Sequence, residues 1–221
     1  IEDGKIRFAI QEERLAYQKN QGGFPAKSIE YMLKHLNLVV SDIDAVAMAS
    51  THTSLEFETG EYYSKHKKSG WRKSLENAAK KTPFYSIYKE NRLQERLKKL
   101  KQAGFDTKKV HFVDHHLCHA ATAYFGSNYS RSEKVLVLTN DGAGDGLCAT
   151  VSLGINGRLD KIAEIKSAHS LAGIYCLVTK MLGFKPLEHE YKLMGMASYC
   201  SEKGTLQGYE IFKDLVHISP T

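Results

Sequence analysis

The stretch Val110-His111-Phe112-Val113-Asp114-His115-His116-Leu117-Cys118-His119-Ala120-Ala121-Thr122-Ala123 decides the reading of this chain. Val110 to Val113 is an apolar, strand-like run, and the Ala-rich segment after it has helical composition. On a helix His115 and His119 stand at i and i+4 and project from one face. Two neutral imidazoles on one face are half of a site for a first-row divalent metal. His116, at i and i+3 from His119, competes with His115 as a ligand, while His111 reads as a strand residue.

Working outward, Leu136-Val137-Leu138-Thr139-Asn140 is an apolar strand ending in Asp141 and a glycine-rich turn. A strand-end Asp supplies the carboxylate that a histidine pair lacks, so Asp141 is the third candidate ligand. Glycine lets backbone N–H groups approach a phosphate closely, which makes Gly142, Ala143, Gly144, Asp145 and Gly146 a candidate cradle. The same residues also suit a plain β-turn. Metal beside phosphate is the expectation.

The flanking segments supply an α/β framework. Lys5 to Gln11 alternates like a strand, with Asp3-Gly4 as a hairpin turn before it. Pro25 to Leu36 is a helix with Pro in its first turn and Ile29, Met32, Leu33 and Leu36 at helical spacing. Ile43 to Ala49 is a short strand. Lys134 to Asn140 and Gly146 to Ile155 form a hairpin around the glycine turn, and Arg158 to Lys166 adds a strand. Leu171 to Leu182 is an apolar helix stopped by Gly183, and Glu190 to Ser198 begins another helix or turn. Strands that start as a meander and then alternate with helices indicate α/β architecture.

Composition bounds the function. The chain has 221 residues, 42% of them hydrophobic and 25% charged, which is globular composition. No apolar run is long enough to cross a bilayer, so no membrane role is expected. Cys118, Cys148, Cys176 and Cys200 are far apart and contain no Cys-x-x-Cys pair, so free thiols in a reducing cytoplasm are expected. The start at Ile1 and the end at Val216-His217-Ile218-Ser219-Pro220-Thr221 suggest a piece of a larger protein.

Charge is segregated. Tyr62 to Lys109 carries fifteen Lys or Arg against four acids, a balance of +11; with +6 overall, the rest of the chain stands at −5. Leu93, Leu97 and Leu100 mark an amphipathic helix before Gly104. The segment reads as a solvated helical face, or as a platform for phosphates, nucleic acid or an acidic partner. Tyr62, Tyr63, Trp71, Phe84, Tyr85 and Tyr88 interleave with the charges and suit either packing or base stacking. One further cluster is Glu188-His189-Glu190-Tyr191-Lys192-Leu193-Met194-Gly195-Met196-Ala197. There Glu190 could accept ribose hydroxyls and Lys192 could hold a phosphate or carbonyl oxygen, unless the two are a surface salt-bridge strip.

Certain groups recur here in a particular order. Asp3-Gly4-Lys5-Ile6-Arg7-Phe8-Ala9 leads to Glu12-Glu13-Arg14, Gly23-Phe24-Pro25 and Asp42-Ile43-Asp44. His115-His116-x-x-His119-Ala120 and Asp141-Gly142-x-Gly144-Asp145 follow. Ser170-Leu171-x-Gly173-x-Tyr175, Leu182-Gly183-Phe184 and Glu190-x-Lys192-x-Met194-Gly195-x-Ala197 complete the series. In this order they resemble the N-terminal part of the NodU/CmcH carbamoyltransferases, which attach a carbamoyl group to a hydroxyl of a natural product.

The resemblance implies an actin-like ATPase (ASKHA) fold of two related α/β subdomains with a nucleotide in the cleft. Residues 1–130 would be the first subdomain, with a basic helical insert at about 62–109. Residues 131–221 would begin the second, incomplete here, with the phosphate-binding hairpin. The family is similar to the transferase that makes threonylcarbamoyl-adenosine in tRNA. By that likeness it binds carbamoyl-adenylate and an iron ion, Fe(II), held by two His and Asp residues; His115, His119 and Asp141 match those positions. A first strand with a His-Asp motif would precede Ile1. Another Asp ligand and a YrdC-like domain, which makes carbamoyl-adenylate from carbamoyl phosphate and ATP, would follow Thr221. This stretch alone would then bind metal weakly and catalyse nothing.

The expected reaction is O-carbamoyl transfer to a small-molecule hydroxyl. The metal would act as Lewis acid, Gly142 to Gly146 would hold phosphate oxygens, and His116 would take the acceptor proton. Two other functions remain open on sequence: (threonyl)carbamoyl transfer to tRNA, kept alive by the basic segment, and a non-catalytic nucleotide-binding module. Manganese and zinc remain open beside iron.

Overall fold

A computed structural model describes residues 1–51 and 83–214. The stretch from Tyr62 to Lys81 and the side chains of Phe84, Tyr85 and Tyr88 lie outside the described residues. The chain divides into two compact units, the first ending at His169 and the second beginning at Ser170.

In the first unit a parallel pair leads directly to the histidines. β1 (Val46–Ala49) pairs with β2 (Val110–Val113) in register Val46↔Val110 to Ala49↔Val113. The chain between them includes the basic helix α3 (Pro83–Gln102), which buries Leu100 to 2% exposure. β2 passes through Asp114 into α4 (His115–Gly126). Asp114 starts that helix because its carboxylate accepts the Leu117 N–H and satisfies an otherwise unpaired first-turn donor.

β3 (Val135–Gly144), β4 (Leu147–Ile155) and β5 (Arg158–Lys166) form an antiparallel meander in the order β3-β4-β5. Its two hairpins close on Asp145-Gly146 and Asn156-Gly157, all four at positive φ, as two-residue turns that follow the strand twist require. Helix α4 lies on this sheet. His116, Ala120 and Tyr124 recur every fourth residue, so one face of the helix is buried. Ala120 and Tyr124 meet Val137 in the core, with Val135 and Leu159 packed against them. The ring of Tyr124 lies so close to Gly154 that a Cβ there would sit 2.6 Å from it. Arg131 stacks over that ring at 4.9 Å and donates to the Tyr124 and Phe125 carbonyls at the end of the helix.

Two helices precede the parallel pair, α1 (Glu12–Ala16) and α2 (Ala26–Leu36). Pro25 offers α2 no side-chain cap, and Glu12 supplies one from a distance. Its carboxylate accepts the Lys27 and Ser28 N–H groups at 3.1 and 2.8 Å and the Ser28 hydroxyl at 2.7 Å. Desolvation pushes this carboxyl up, but the Ser28 and Lys27 bonds outweigh it and hold it below its ordinary value.

The second unit is helical among the described residues: α5 (Ala172–Met181), α6 (Glu190–Met196) and α7 (Glu202–Phe212). Together the elements make a mixed α/β chain. No helix among the described residues is long and apolar enough to cross a membrane.

Several expectations differ in detail. Lys5 to Gln11 is no strand; only a Glu2–Lys5 bridge closes the Asp3-Gly4 turn, and the extended chain after it has no ladder partner among the described residues. The strand expected from Ile43 begins at Val46, because a 3₁₀ turn at Val40–Asp42 delays it. The burial of α4 against β3 ties the meander to the histidine helix within the first compact unit. Helix α7 was not anticipated, although Ser201 caps it by accepting the Gly204 N–H and Glu202 sits in its first turn.

Candidate metal centre

The site forms where three chain segments end together. His115 and His119 stand on the first turns of α4, Asp141 stands near the end of β3, and Ser50 follows β1. His115 Nε2 lies 2.7 Å from Asp141 Oδ2, and His119 Nε2 lies 3.3 Å from the same oxygen. The two Nε2 atoms are 3.1 Å apart. One ligand atom from each residue thus falls within 4.8 Å of the others. The i, i+4 spacing read from the sequence is what aims both rings at one point.

The rings are held from behind. Ser50 Oγ is 3.1 Å from His115 Nδ1, so the hydroxyl engages one ring nitrogen and leaves Nε2 facing the centre. Asp141 Oδ1 accepts the Gly142 N–H at 2.6 Å, which turns Oδ2 toward the histidines. Gly144 lies directly under the His115 ring; a Cβ there would come within 2.0 Å of Cδ2. Gly144 is therefore glycine because an imidazole occupies the space of its side chain. The β3–β4 pairing is irregular between Asn140 and Gly144, and such a bulge is a means of re-aiming a side chain such as Asp141.

The electrostatics match a cation site. Desolvation raises the Asp141 carboxyl, but bonds to His115, Gly142 and His119 and the charge of His115 outweigh it and keep the group ionised below its ordinary range. The Asp141 side chain is 40% exposed and that of His119 52%, so the centre opens to solvent on one side. Cys118 adjoins His119, yet burial pushes its thiol up, aided by the negative charges of Asp114 and Asp145, so it stays a protonated thiol. Two imidazoles and one carboxylate with an open face form the donor set that suits non-haem Fe(II), and also other divalent first-row ions.

The other expected residues fall elsewhere. His116 turns into the core at 1% exposure, with Nδ1 2.9 Å from Thr139 Oγ1. In this arrangement Nδ1 is engaged by Thr139 and the ring packs on the buried face of α4. Asp145 accepts the N–H groups of Thr51 and His115, both at 2.9 Å, and so fastens the hairpin tip to β1 and to α4. The His115 and Leu117 donors at the start of α4 are thereby met by carboxylates of this chain. Of the expected cradle, the Gly142 N–H is engaged by Asp141, and Gly146 forms the turn with Asp145. Glu190 and Lys192 belong to the second unit. Glu190 Oε1 accepts the Leu187 N–H at 2.7 Å and the Cys176 thiol at 3.3 Å, holding Leu187 at φ 66. Desolvation raises the Glu190 carboxyl, and bonds from the Leu187 and neighbouring N–H groups lower it further than that. Lys192 Nζ sits over the rings of Phe184 and Tyr191, at 5.4 and 6.0 Å. The sequence reading missed Ser50; no motif singles it out, because its role arises only when β1 is set beside β2.

Comparison with known proteins fixes the family. Residues 1–216 match the family described as Carbamoyltransferase N-terminus. The chain belongs to that family. This carbamoyltransferase-family chain is similar to the nodulation protein NolNO of Sinorhizobium fredii (28% identity, 98% of this chain and 29% of that protein). It is also similar to the uncharacterized protein MJ1051 of Methanocaldococcus jannaschii (30% identity, 91% and 31%) and to the uncharacterized protein sll1178 of Synechocystis (30% identity, 92% and 32%). It thus spans about three tenths of the length of these curated relatives.

Proposed function

We propose that this chain is the metal-bearing part of an O-carbamoyltransferase, working in the cytoplasm on a small-molecule hydroxyl. The observation that carries the reading is the convergence of His115, His119 and Asp141 on one point in a chain of the carbamoyltransferase family. The donor set fits Fe(II), and the Ser50 contact behind His115 is the kind of support that metal-bound imidazoles have. A bound divalent cation would supply Lewis acidity to a phosphate or carbamoyl oxygen of the donor.

The donor is read as carbamoyl-adenylate, formed from carbamoyl phosphate and ATP by a YrdC-like domain of the full-length protein. The acceptor oxygen attacks the carbamoyl carbon and its bond to the phosphate oxygen breaks. AMP leaves with that bond's electron pair, and the acceptor proton passes to solvent. The chain's own residues position this exchange. Asp141, held ionised, fixes negative charge on one side of the centre. The open flank by His119 admits the donor. Backbone N–H groups in Ala143 to Gly146 are assigned to phosphate oxygens, Glu190 to the ribose and Lys192 to a phosphate or carbonyl oxygen. The fold read for the full-length protein is the actin-like one, with two related subdomains and a bound nucleotide. The basic helix α3 keeps a tRNA acceptor as an outcome of the test, recognisable by binding that weakens steeply with salt.

The test uses the full-length protein, wild type against His119→Ala. Metal content and binding of carbamoyl-AMP are measured together. Near-stoichiometric iron and tight binding, both lost in the variant, are expected. A metal-free wild type, with nucleotide binding unchanged in the variant, would overturn the reading and leave a nucleotide-binding module.

A further inference from the structure

One residue of the basic segment turns inward. Arg96, on α3, donates from Nη1 to the Ser50 carbonyl at 2.6 Å and from Nη2 to the Ala49 carbonyl at 2.7 Å. Its guanidinium also lies 4.6 Å from the centroid of the Phe112 ring on β2. One planar cation therefore bridges the ends of both parallel strands, a two-pronged geometry that lysine cannot reproduce.

The backbone it grips is unusual. Ser50 has φ 70, in the left-handed region that a residue with a Cβ rarely enters. Such a conformation costs about 1 kcal/mol or more and persists where the surroundings over-determine it. Here they do so from both sides. Arg96 holds the carbonyls of Ala49 and Ser50, and Asp145 takes the next N–H, that of Thr51. The result of that bend is the placement of Ser50 Oγ 3.1 Å from His115 Nδ1. Asp145, which closes the bracket, also holds the His115 N–H.

We infer that Arg96 is a positioning residue for the metal centre, acting through the bent backbone of Ser50 to fix the His115 ring. The inference rests on the metal reading above but concerns different atoms: the Arg96 guanidinium and the Ala49 and Ser50 carbonyls. It also gives the basic segment a task that composition conceals, since one of its cations serves the chain's own site.

The test compares full-length wild type with Arg96→Gln, Arg96→Lys, Ser50→Ala and the double variant Arg96→Gln/Ser50→Ala. Lys99→Gln, which removes the same charge from an exposed position of α3, is the control. Cobalt(II) serves as the spectroscopic probe of metal binding. Arg96→Gln and Ser50→Ala are each expected to weaken cobalt binding about 10- to 100-fold, the usual effect of losing support behind a ligand. The double variant is expected to bind no more weakly than the worse single one, because both changes break one chain of contacts. Arg96→Lys should recover only part of the loss, and Lys99→Gln should match wild type. A metal-free readout accompanies it: amide exchange of Thr51 and His115 should accelerate in Arg96→Gln and stay unchanged in Lys99→Gln. Wild-type cobalt affinity in a folded Arg96→Gln protein, or losses that simply add in the double variant, would overturn the inference. If wild type itself takes no cobalt, the metal reading falls, and the exchange rates still decide whether Arg96 holds the Ser50–His115 bracket.

Discussion

Replacing Gly144 by alanine should abolish metal binding while leaving all three candidate ligand residues in place. The added Cβ would lie 2.0 Å from His115 Cδ2, 2.1 Å from Cγ and 2.6 Å from Nε2. Ordinary contact begins near 3.4 Å, so ring or strand must give way by about 1.4 Å. Metal–nitrogen bonds tolerate deviations of only about 0.2 Å, so a shift of this size removes His115 from the coordination sphere. Affinity should fall at least about 100-fold, or about 2.7 kcal/mol. Forcing the extra carbon in should itself cost about 1–3 kcal/mol of stability. The assay is cobalt titration of the full-length protein together with its urea midpoint. Adding His115→Ala to Gly144→Ala should recover stability relative to Gly144→Ala alone, because it removes the ring that clashes. A Gly144→Ala protein with wild-type affinity and midpoint, or a double variant that only accumulates losses, would refute the packing of imidazole on glycine.

Other outcomes follow from the same geometry. Tyr124→Ala, at a position with 0% exposure, should cost about 3–5 kcal/mol in denaturant melts. Thr139→Val should cost about 1–3 kcal/mol, since it strips a buried bond from His116 and an acceptor from the Thr150 N–H; a neutral result would show that the His116–Thr139 contact is not formed. For Glu12 the sign is set by its lowered pKa. The carboxylate stabilises the fold fully above its ordinary unfolded value, and that contribution fades as pH falls through the lower folded value. Glu12→Gln should therefore lose stability near neutral pH and flatten the acid limb of the stability curve; parallel curves for the two proteins would count against the cap on α2.

The parts of this site that were legible in the sequence are those carried by local geometry. His115 and His119 needed only a helical period, and Asp141 only a strand that stops at a turn. Their meeting at 2.7 and 3.3 Å follows from α4 lying on β3. The Asp145-Gly146 and Asn156-Gly157 turns carry residue pairs that suit positive φ, β2 falls where an apolar run puts it, and β5 spans the expected Arg158 to Lys166. What stayed hidden depends on distance along the chain. Glu12 caps a helix 15 and 16 residues away, and Ser50 reaches His115 across 65 residues. Neither has a periodicity to betray it.

His116 marks the limit most sharply. Sequence makes it the neighbour of two ligands and so a plausible base, but one residue on a helix is a turn of about 100°. That rotation carries its ring from the open flank into the core, where Thr139 takes its Nδ1. Gly144 shows the opposite case. Read as a residue that frees the backbone for a ligand, it also leaves room for an imidazole. In both, the residue type was informative and its surroundings were not, because those are set by which face of α4 meets which strand. The segregated charge of the basic segment obeys the same rule. Its net sign speaks about partners, while Arg96, bonded to the carbonyls beside Ser50, is spent on the geometry of the centre itself.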